Sequence, residues 1–244
     1  MQTGEQPPVQ PTPQKNELLW TLIQIAAIWL VSDIGYYFLL PAIGAQANYS
    51  SGSLAVTLYY AFWIGIAVIT FWPLYVTWTR YAAWDTFDSR LASYIVWSLS
   101  FGGCILFAAY VLPLLPPIHW KESWDPPEFV LASPLYFLPK SFEILFQQLL
   151  IVALVLTLSA QQCSIRRISI CSALAFGGTH ALLAFGGVPV GYVIRFMLSA
   201  AAFGFIFPYL LLRVRNGFAY SYVIHWLYYA ATIVMPHIFL SAVK

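Results

Sequence analysis

Charged side chains are scarce in this sequence of 244 residues. Lysine, arginine, aspartate and glutamate together make up 8% of it, whereas soluble domains carry about 25%. Hydrophobic residues reach 61%, so a globule in water would lack polar groups for its surface. The formal net charge of +2 offers no basic footprint for a phosphate backbone. These shortages exclude a soluble domain, a disordered chain and a nucleic-acid-binding protein.

Several chemical signatures are also missing. The three cysteines, Cys104, Cys163 and Cys171, have no C-x-x-C spacing, which argues against a disulfide framework or a zinc knuckle. The sequence contains no H-E-x-x-H of a zinc-dependent intramembrane protease and no G-x-S-x-G serine motif. No G-x-G-D accompanies an aspartate either. Three familiar classes of intramembrane protease are therefore poor candidates.

Long apolar runs are what the sequence has in abundance. A helix needs about 20 such residues to cross a bilayer, and the runs are continuously apolar rather than alternating, which disfavours strands. We therefore predict an all-α protein, a polytopic transmembrane helical bundle of about seven spans that contacts the lipid bilayer. The predicted spans cover residues 18–43, 54–78, 91–115, 135–160, 168–188, 190–213 and 218–240.

Three regions follow from this pattern. Residues 1–17 are rich in proline and glutamine and are predicted to form a disordered cytoplasmic tail. Residues 18–134 hold three transmembrane helices and a polar loop, LPPIHWKESWDPPEF, and residues 135–240 form a core of four helices.

Most of the lysine and arginine residues fall on the side of the predicted spans that faces the same way as the N-terminus. The positive-inside rule then places the N-terminus in the cytoplasm and the C-terminus on the opposite side.

Ionisable residues at membrane depth are the informative ones, because each is costly to bury there. Glu143 lies in KSFEILFQQLL, with Gln147 one helical turn later on the same face. His180 ends FGGTH, and His225 begins HWLYY. Two histidines and a glutamate on three separate spans favour a shared polar site. A glutamate bonded to Gln147 or to Lys140 that only holds helices together is the simpler interpretation.

These residues resemble the motifs of the CAAX protease and bacteriocin-processing family (Abi/CPBP) of intramembrane proteases. That family carries E-E-x-x-x-R, F-x-x-x-H and H-x-x-x-N on separate helices. Here FEILFQQ, FGGTH and HWLYY occur in the same order, within residues 135–232. The resemblance implies a CAAX-protease-like core in the C-terminal half of a divergent member. It also implies hydrolysis of peptide bonds within the membrane, with a lipidated peptide or a membrane protein as partner.

The resemblance also implies roles for individual residues. Glu143, His180 and His225 would be catalytic, supported by Gln147, Phe176 and Tyr229. Aligned on Phe146, Phe142 replaces the first glutamate, Gln147 the arginine and Tyr229 the asparagine. Hydrolysis would be of the metal-independent glutamate type, or would use a divalent metal such as zinc bound by His180 and His225.

Other interpretations remain open. The departures from the motifs agree with a degenerate member, and the 18% of aromatic residues suits helix packing in a non-catalytic structural or regulatory subunit of a membrane complex. A small transporter that uses Asp33, Glu143 and Arg195 is a third option, although no inverted repeat supports it. Apart from that option, the Asp33 carboxylate is predicted to accept a hydrogen bond from Ser32 or from a tyrosine as a cap, or to be a proton or cation site.

Overall fold

The computed structural model describes residues 15–45, 48–81, 87–118, 129 and 132–241. Within these residues the chain is helical and contains no strand. The α-helices are α1 (Lys15–Ile34), α2 (Leu40–Ala42), α3 (Ser53–Thr70), α4 (Trp72–Tyr81), α5 (Phe87–Leu106), α6 (Phe137–Ala160), α7 (Ile165–Thr179), α8 (Val190–Arg213) and α9 (Gly217–Ser241). π-Helical turns follow α1 and α5, at Gly35–Leu39 and Phe107–Val111, and 3-10 turns lie at Leu112–Leu114, Pro134–Tyr136 and His180–Gly186.

Six stretches of the described chain are long and apolar enough to cross a membrane: Leu18–Ala42, Ser53–Thr70, Leu91–Leu114, Pro134–Ala160, Ile165–Gly186 and Val190–Arg213. They overlap six of the seven predicted spans, but the second ends at Thr70 rather than at residue 78, because a turn at Phe71 separates α3 from α4. The chain is an integral membrane protein. The seventh predicted span is also a helix, α9, but it does not meet the same criterion. Its two histidines, its tryptophan and its tyrosines lower its mean hydropathy.

Helix α6 occupies the centre of the bundle. In its most apolar stretch 61% of the residues are buried, compared with 17% in the first span. Ile144, Leu150 and Ala153 are completely or almost completely buried, although they point in different directions around the helix. Helices α1, α3, α4, α7, α8 and α9 all contact α6. The residues of α6 therefore meet side chains from both halves of the chain.

The outer surface of the bundle is apolar. Large hydrophobic side chains such as Ile69, Leu174 and Leu198 are mostly exposed, at 78%, 72% and 68%. Exposing this apolar surface to water would be unfavourable in free energy, whereas contact with lipid tails carries no such cost. We conclude that these side chains contact the bilayer.

Two glycines allow α7 and α8 to pack closely. A Cβ atom on Gly204 would lie 2.6 Å from the Ser172 carbonyl oxygen, and one on Gly177 would lie 2.9 Å from the Ala201 Cβ. Gly178, the second glycine of FGGTH, has open space beside it. Of the two glycines in this motif, only Gly177 therefore faces the neighbouring helix.

The π-helical turn after α1 is held by a residue of α3. The Tyr59 hydroxyl donates to the Ser32 carbonyl oxygen at 2.5 Å, and a Cβ on Gly35 would collide with the same hydroxyl. Such turns widen a helix locally and change the direction of the side chains around them. Here the turn places Tyr36 and Tyr37 beside Asp33 on the wall of an internal cavity.

The remaining predictions about organisation fall mainly on residues outside the described ranges. Residues 15–17 of the predicted tail begin α1, whereas 1–14 are not described. Most of the predicted polar loop, from 119 to 128, is likewise outside the described residues.

Candidate functional site

A cavity of about 570 Å³ opens at one end of the bundle. Its rim includes the connections before α3, before α6 and between α7 and α8. The wall combines two carboxylates, one lysine, one histidine and a series of aromatic rings with smaller apolar and polar residues. The residues that line it are Trp29, Asp33, Tyr36, Tyr37, Tyr49, Tyr60, Phe129, Tyr136, Lys140, Glu143, Gln147, Thr179, His180, Leu182, Leu183, Gly186, Gly187, Val188, Pro189, Phe196 and Tyr229. Four residues singled out from the sequence, Glu143, Gln147, His180 and Tyr229, thus share one cavity.

Both carboxylate oxygens of Glu143 have partners. Lys140, three residues earlier on α6, forms an ion pair with Oε2. Tyr49 donates to the same oxygen at 2.6 Å, and the Gln147 amide donates to Oε1 at 3.0 Å. The predicted contact with Gln147 is confirmed, as is the contact with Lys140. Charge-assisted bonds of this kind hold the carboxylate in one orientation.

The Tyr49 hydroxyl remains a hydrogen-bond donor under ordinary conditions. Burial and the neighbouring Glu143 carboxylate both raise the pKa of Tyr49 well above its usual value. Its oxygen also lies 3.1 Å from the Tyr60 hydroxyl, which links α3 to the same network. A residue before α3 therefore fixes the position of a carboxylate on α6.

Lys140 is buried among aromatic rings. Its Nζ lies 4.3 Å from the ring centroid of Tyr229, 4.5 Å from that of Tyr49 and 5.6 Å from that of Tyr136. The side chain of Lys140 is 7% exposed and that of Glu143 is 12% exposed. An ammonium group over ring faces gains cation–π attraction, which is strongest where water is excluded. The rings and Glu143 together replace the hydration of this lysine.

His180 lies where α7 ends and a 3-10 turn begins. Its Nδ1 is 2.8 Å from the Phe176 carbonyl oxygen, which also accepts from the Thr179 hydroxyl at 2.9 Å. A carbonyl can only accept, so Nδ1 carries a proton. In the neutral ring, Nε2 then carries a lone pair. His180 lines the cavity, and it can act as a proton acceptor there.

His225 and Phe176 lie behind the cavity wall rather than on it. The His225 ring is 5.4 Å from that of Phe176 and 5.6 Å from that of Tyr229, centroid to centroid. Nδ1 of His225 lies 3.4 Å from Nε2 of Gln148. Oε1 of the same Gln148 amide accepts a hydrogen bond from the Ser221 hydroxyl at 3.2 Å. Because that amide nitrogen is a donor, Nδ1 accepts and Nε2 carries the proton.

Several residues of the site were not grouped with Glu143 and His180 from the sequence. Asp33 lines the cavity, and the prediction that Ser32 caps it is wrong, because the Ser32 hydroxyl donates to the Trp29 carbonyl at 2.7 Å. Tyr49 and Tyr136 are also part of the site, although tyrosines are too common in this chain to be informative. Asp33 had the one available signal, which is the cost of an aspartate within an apolar run.

A metal site on these residues would need more ligands than they supply. Within the described ranges, no three histidine, cysteine, aspartate or glutamate side chains are grouped closely enough to hold a metal ion. His180 presents the lone pair of Nε2 to the cavity, but Nε2 of His225 carries a proton and cannot bind a metal in this arrangement. The zinc set implied by the resemblance therefore does not fit this arrangement, and we derive no reaction step through a metal.

The chain was compared with protein families, curated proteins and solved structures. No family model, no curated protein and no solved structure matches it significantly.

Proposed function

We propose that this protein is an intramembrane endopeptidase of the CAAX type, in which the cavity holds the scissile peptide bond. One observation carries the proposal. Glu143, His180 and Tyr229 lie far apart in the sequence, on three elements that the motif order singled out, and they line one cavity. Apolar packing alone gives no reason for an acid, a base and a phenol to meet inside a membrane protein.

The hydrogen-bonding roles of the side chains suit peptide hydrolysis. His180 Nε2 would accept a proton from water, Glu143 would orient that water, and the water oxygen would attack the carbonyl carbon. The Tyr229 hydroxyl would donate to the oxyanion that develops on the carbonyl oxygen. The proton held by His180 would then pass to the departing amine as the carbon–nitrogen bond breaks. His225, with its proton on Nε2, would position Tyr229 from behind.

The geometry favours a different alignment with the first motif from the one centred on Phe146. Phe142 packs against the hydrophobic core, whereas Glu143 faces the cavity. We propose that Glu143 itself takes the place of the first glutamate. Gln148, five residues later, then takes the place of the arginine, and it contacts His225. Tyr229 still replaces an asparagine, and its hydroxyl supplies the donor that the amide would give.

Cleavage by the purified protein tests this proposal. The protein would be incubated in dodecyl maltoside with a farnesylated CAAX peptide and with a set of transmembrane peptides, in ¹⁸O-labelled water. Mass spectrometry would show a new C-terminus that contains ¹⁸O. We expect His180→Ala to slow cleavage at least about a hundredfold, as for the loss of a general base. His237→Ala is the matched control, since His237 binds the Pro116 carbonyl at the surface.

The location of the cavity bears on the substrate. The cavity rim and both ends of the short 3-10 turn after α7 lie at the same end of the bundle. With a cytoplasmic N-terminus, this end would face away from the cytoplasm. We therefore expect cleavage of the transmembrane peptides, which can enter from that side, rather than of a cytoplasmic prenylated protein.

The ion pair favours a second candidate, a non-catalytic subunit of a membrane complex. Glu143 accepts bonds from Lys140, Tyr49 and Gln147, and so it serves to join α6 to the segment before α3. His225 would then be a packing residue. This candidate predicts that the wild type and His180→Ala are equally unable to cleave any peptide in the set, and that outcome would overturn the endopeptidase proposal.

A further inference from the structure

The α1 side of the cavity presents a carboxylate between aromatic rings. Trp29, Asp33 and Tyr37 are spaced four residues apart, the first two on α1 and the third in the π-helical turn that follows it. All three line the cavity, as does Tyr36. The resemblance to proteases covers none of these residues, because it begins at residue 135. The endopeptidase proposal therefore assigns no role to these residues.

The charges in the cavity do not balance when both carboxylates are ionised. Asp33 and Glu143 line it together with Lys140, which is the only lysine or arginine of the described residues on the wall. Lys140 is paired with Glu143. Among the described residues we find no hydrogen bond or ion pair to the Asp33 carboxylate. An ionised Asp33 would therefore attract a cation.

The same wall already holds a cation elsewhere. Lys140 Nζ lies over the rings of Tyr49, Tyr136 and Tyr229, with Glu143 as its counter-ion. The aromatic surface continues from there towards Asp33, since the Tyr49 and Tyr36 centroids are 5.7 Å apart and those of Tyr36 and Tyr37 are 5.2 Å apart. Rings plus one carboxylate are the groups that recognise organic ammonium ions.

We propose that the cavity binds an organic ammonium cation at Asp33, between Trp29, Tyr36 and Tyr37. The volume of about 570 Å³ is in the range of pockets that enclose small molecules. The cation is a trimethylammonium group of the choline type or the primary ammonium of a lysine-like side chain. Binding requires the cavity and Asp33 but no hydrolysis, so it stands or fails separately from the endopeptidase proposal.

Matched probes test the charge requirement without any mutation. The wild-type protein in dodecyl maltoside, which carries no ammonium group, would be titrated calorimetrically with choline and with 3,3-dimethyl-1-butanol, its uncharged isostere. n-Butylammonium would be titrated as the primary amine. We expect binding of at least one cation and at least about tenfold weaker binding of the isostere. Choline alone would indicate a quaternary group, and butylammonium alone a lysine-like one.

Variants then locate the site. Asp33→Asn keeps the shape of the side chain and removes its charge, and it should weaken binding of the cation at least about tenfold. Asp33→Glu should restore part of the affinity. Tyr37→Leu should weaken binding, whereas Tyr209→Leu, at a lipid-exposed tyrosine, should not. Measurable binding of choline that its isostere equals, no binding of either cation, or an unchanged affinity in Asp33→Asn would each overturn the proposal.

Discussion

Replacing Lys140 by methionine would leave the Glu143 carboxylate without its counter-ion in the centre of the bundle. Loss of one partner of a buried ion pair typically costs about 3–5 kcal/mol. Two hydrogen bonds would remain, from Tyr49 at 2.6 Å and from Gln147 at 3.0 Å. Bonds to a charged group contribute about 1.5–3 kcal/mol each, so we expect a cost near the lower limit, about 3 kcal/mol.

The converse variant, Glu143→Gln, would leave Lys140 among its three tyrosine rings. Attraction to those rings, about 2 kcal/mol where water is excluded, would again keep the loss near about 3 kcal/mol. In the double variant neither charge is left unpaired. Its loss should therefore be smaller than the sum of the single losses by at least about 2 kcal/mol.

Unfolding in mixed micelles of dodecyl maltoside and sodium dodecyl sulfate, followed by tryptophan fluorescence, would measure these free energies. Lys140→Met combined with Tyr209→Phe is the control, because Tyr209 is 57% exposed and touches neither charge. That pair should be additive within about 0.5 kcal/mol. Additivity of Lys140→Met and Glu143→Gln to the same tolerance would show that the two charges do not interact, and the ion pair would have to be abandoned.

Three further substitutions have defined outcomes. Gly204→Ala places a Cβ 2.6 Å from the Ser172 carbonyl oxygen and should destabilise the protein by about 1–3 kcal/mol in the same unfolding assay. Gly178→Ala meets open space and should be neutral or slightly stabilising; equal losses would contradict the close approach of α7 and α8. Tyr49→Phe removes the hydroxyl bonded to Glu143 and should cost about 1.5–3 kcal/mol. A loss that persists undiminished in the Glu143→Gln background would show that this bond is not its cause.

The apolar runs of the sequence were sufficient to predict a helical membrane protein. Backbone groups in lipid must be bonded within a helix or a closed barrel, and runs of this length without alternating polar residues indicate helices. Contacts one turn apart could be predicted for the same reason. The periodicity of a helix places Gln147 beside Glu143 wherever α6 lies in the bundle.

The tertiary structure alone decided which of the polar residues share a site. Successive residues of a helix point about 100° apart. The rotation of α9 about its own axis therefore decides whether His225 lies on the cavity wall or faces Gln148, as it does here. That rotation cannot be predicted from the sequence of α9. The same holds for Asp33 and Tyr49, which line one cavity with Lys140 and Glu143 only because α6 packs in the centre of the bundle. Local hydrogen bonding thus determined the helices, and packing between distant segments determined the cavity.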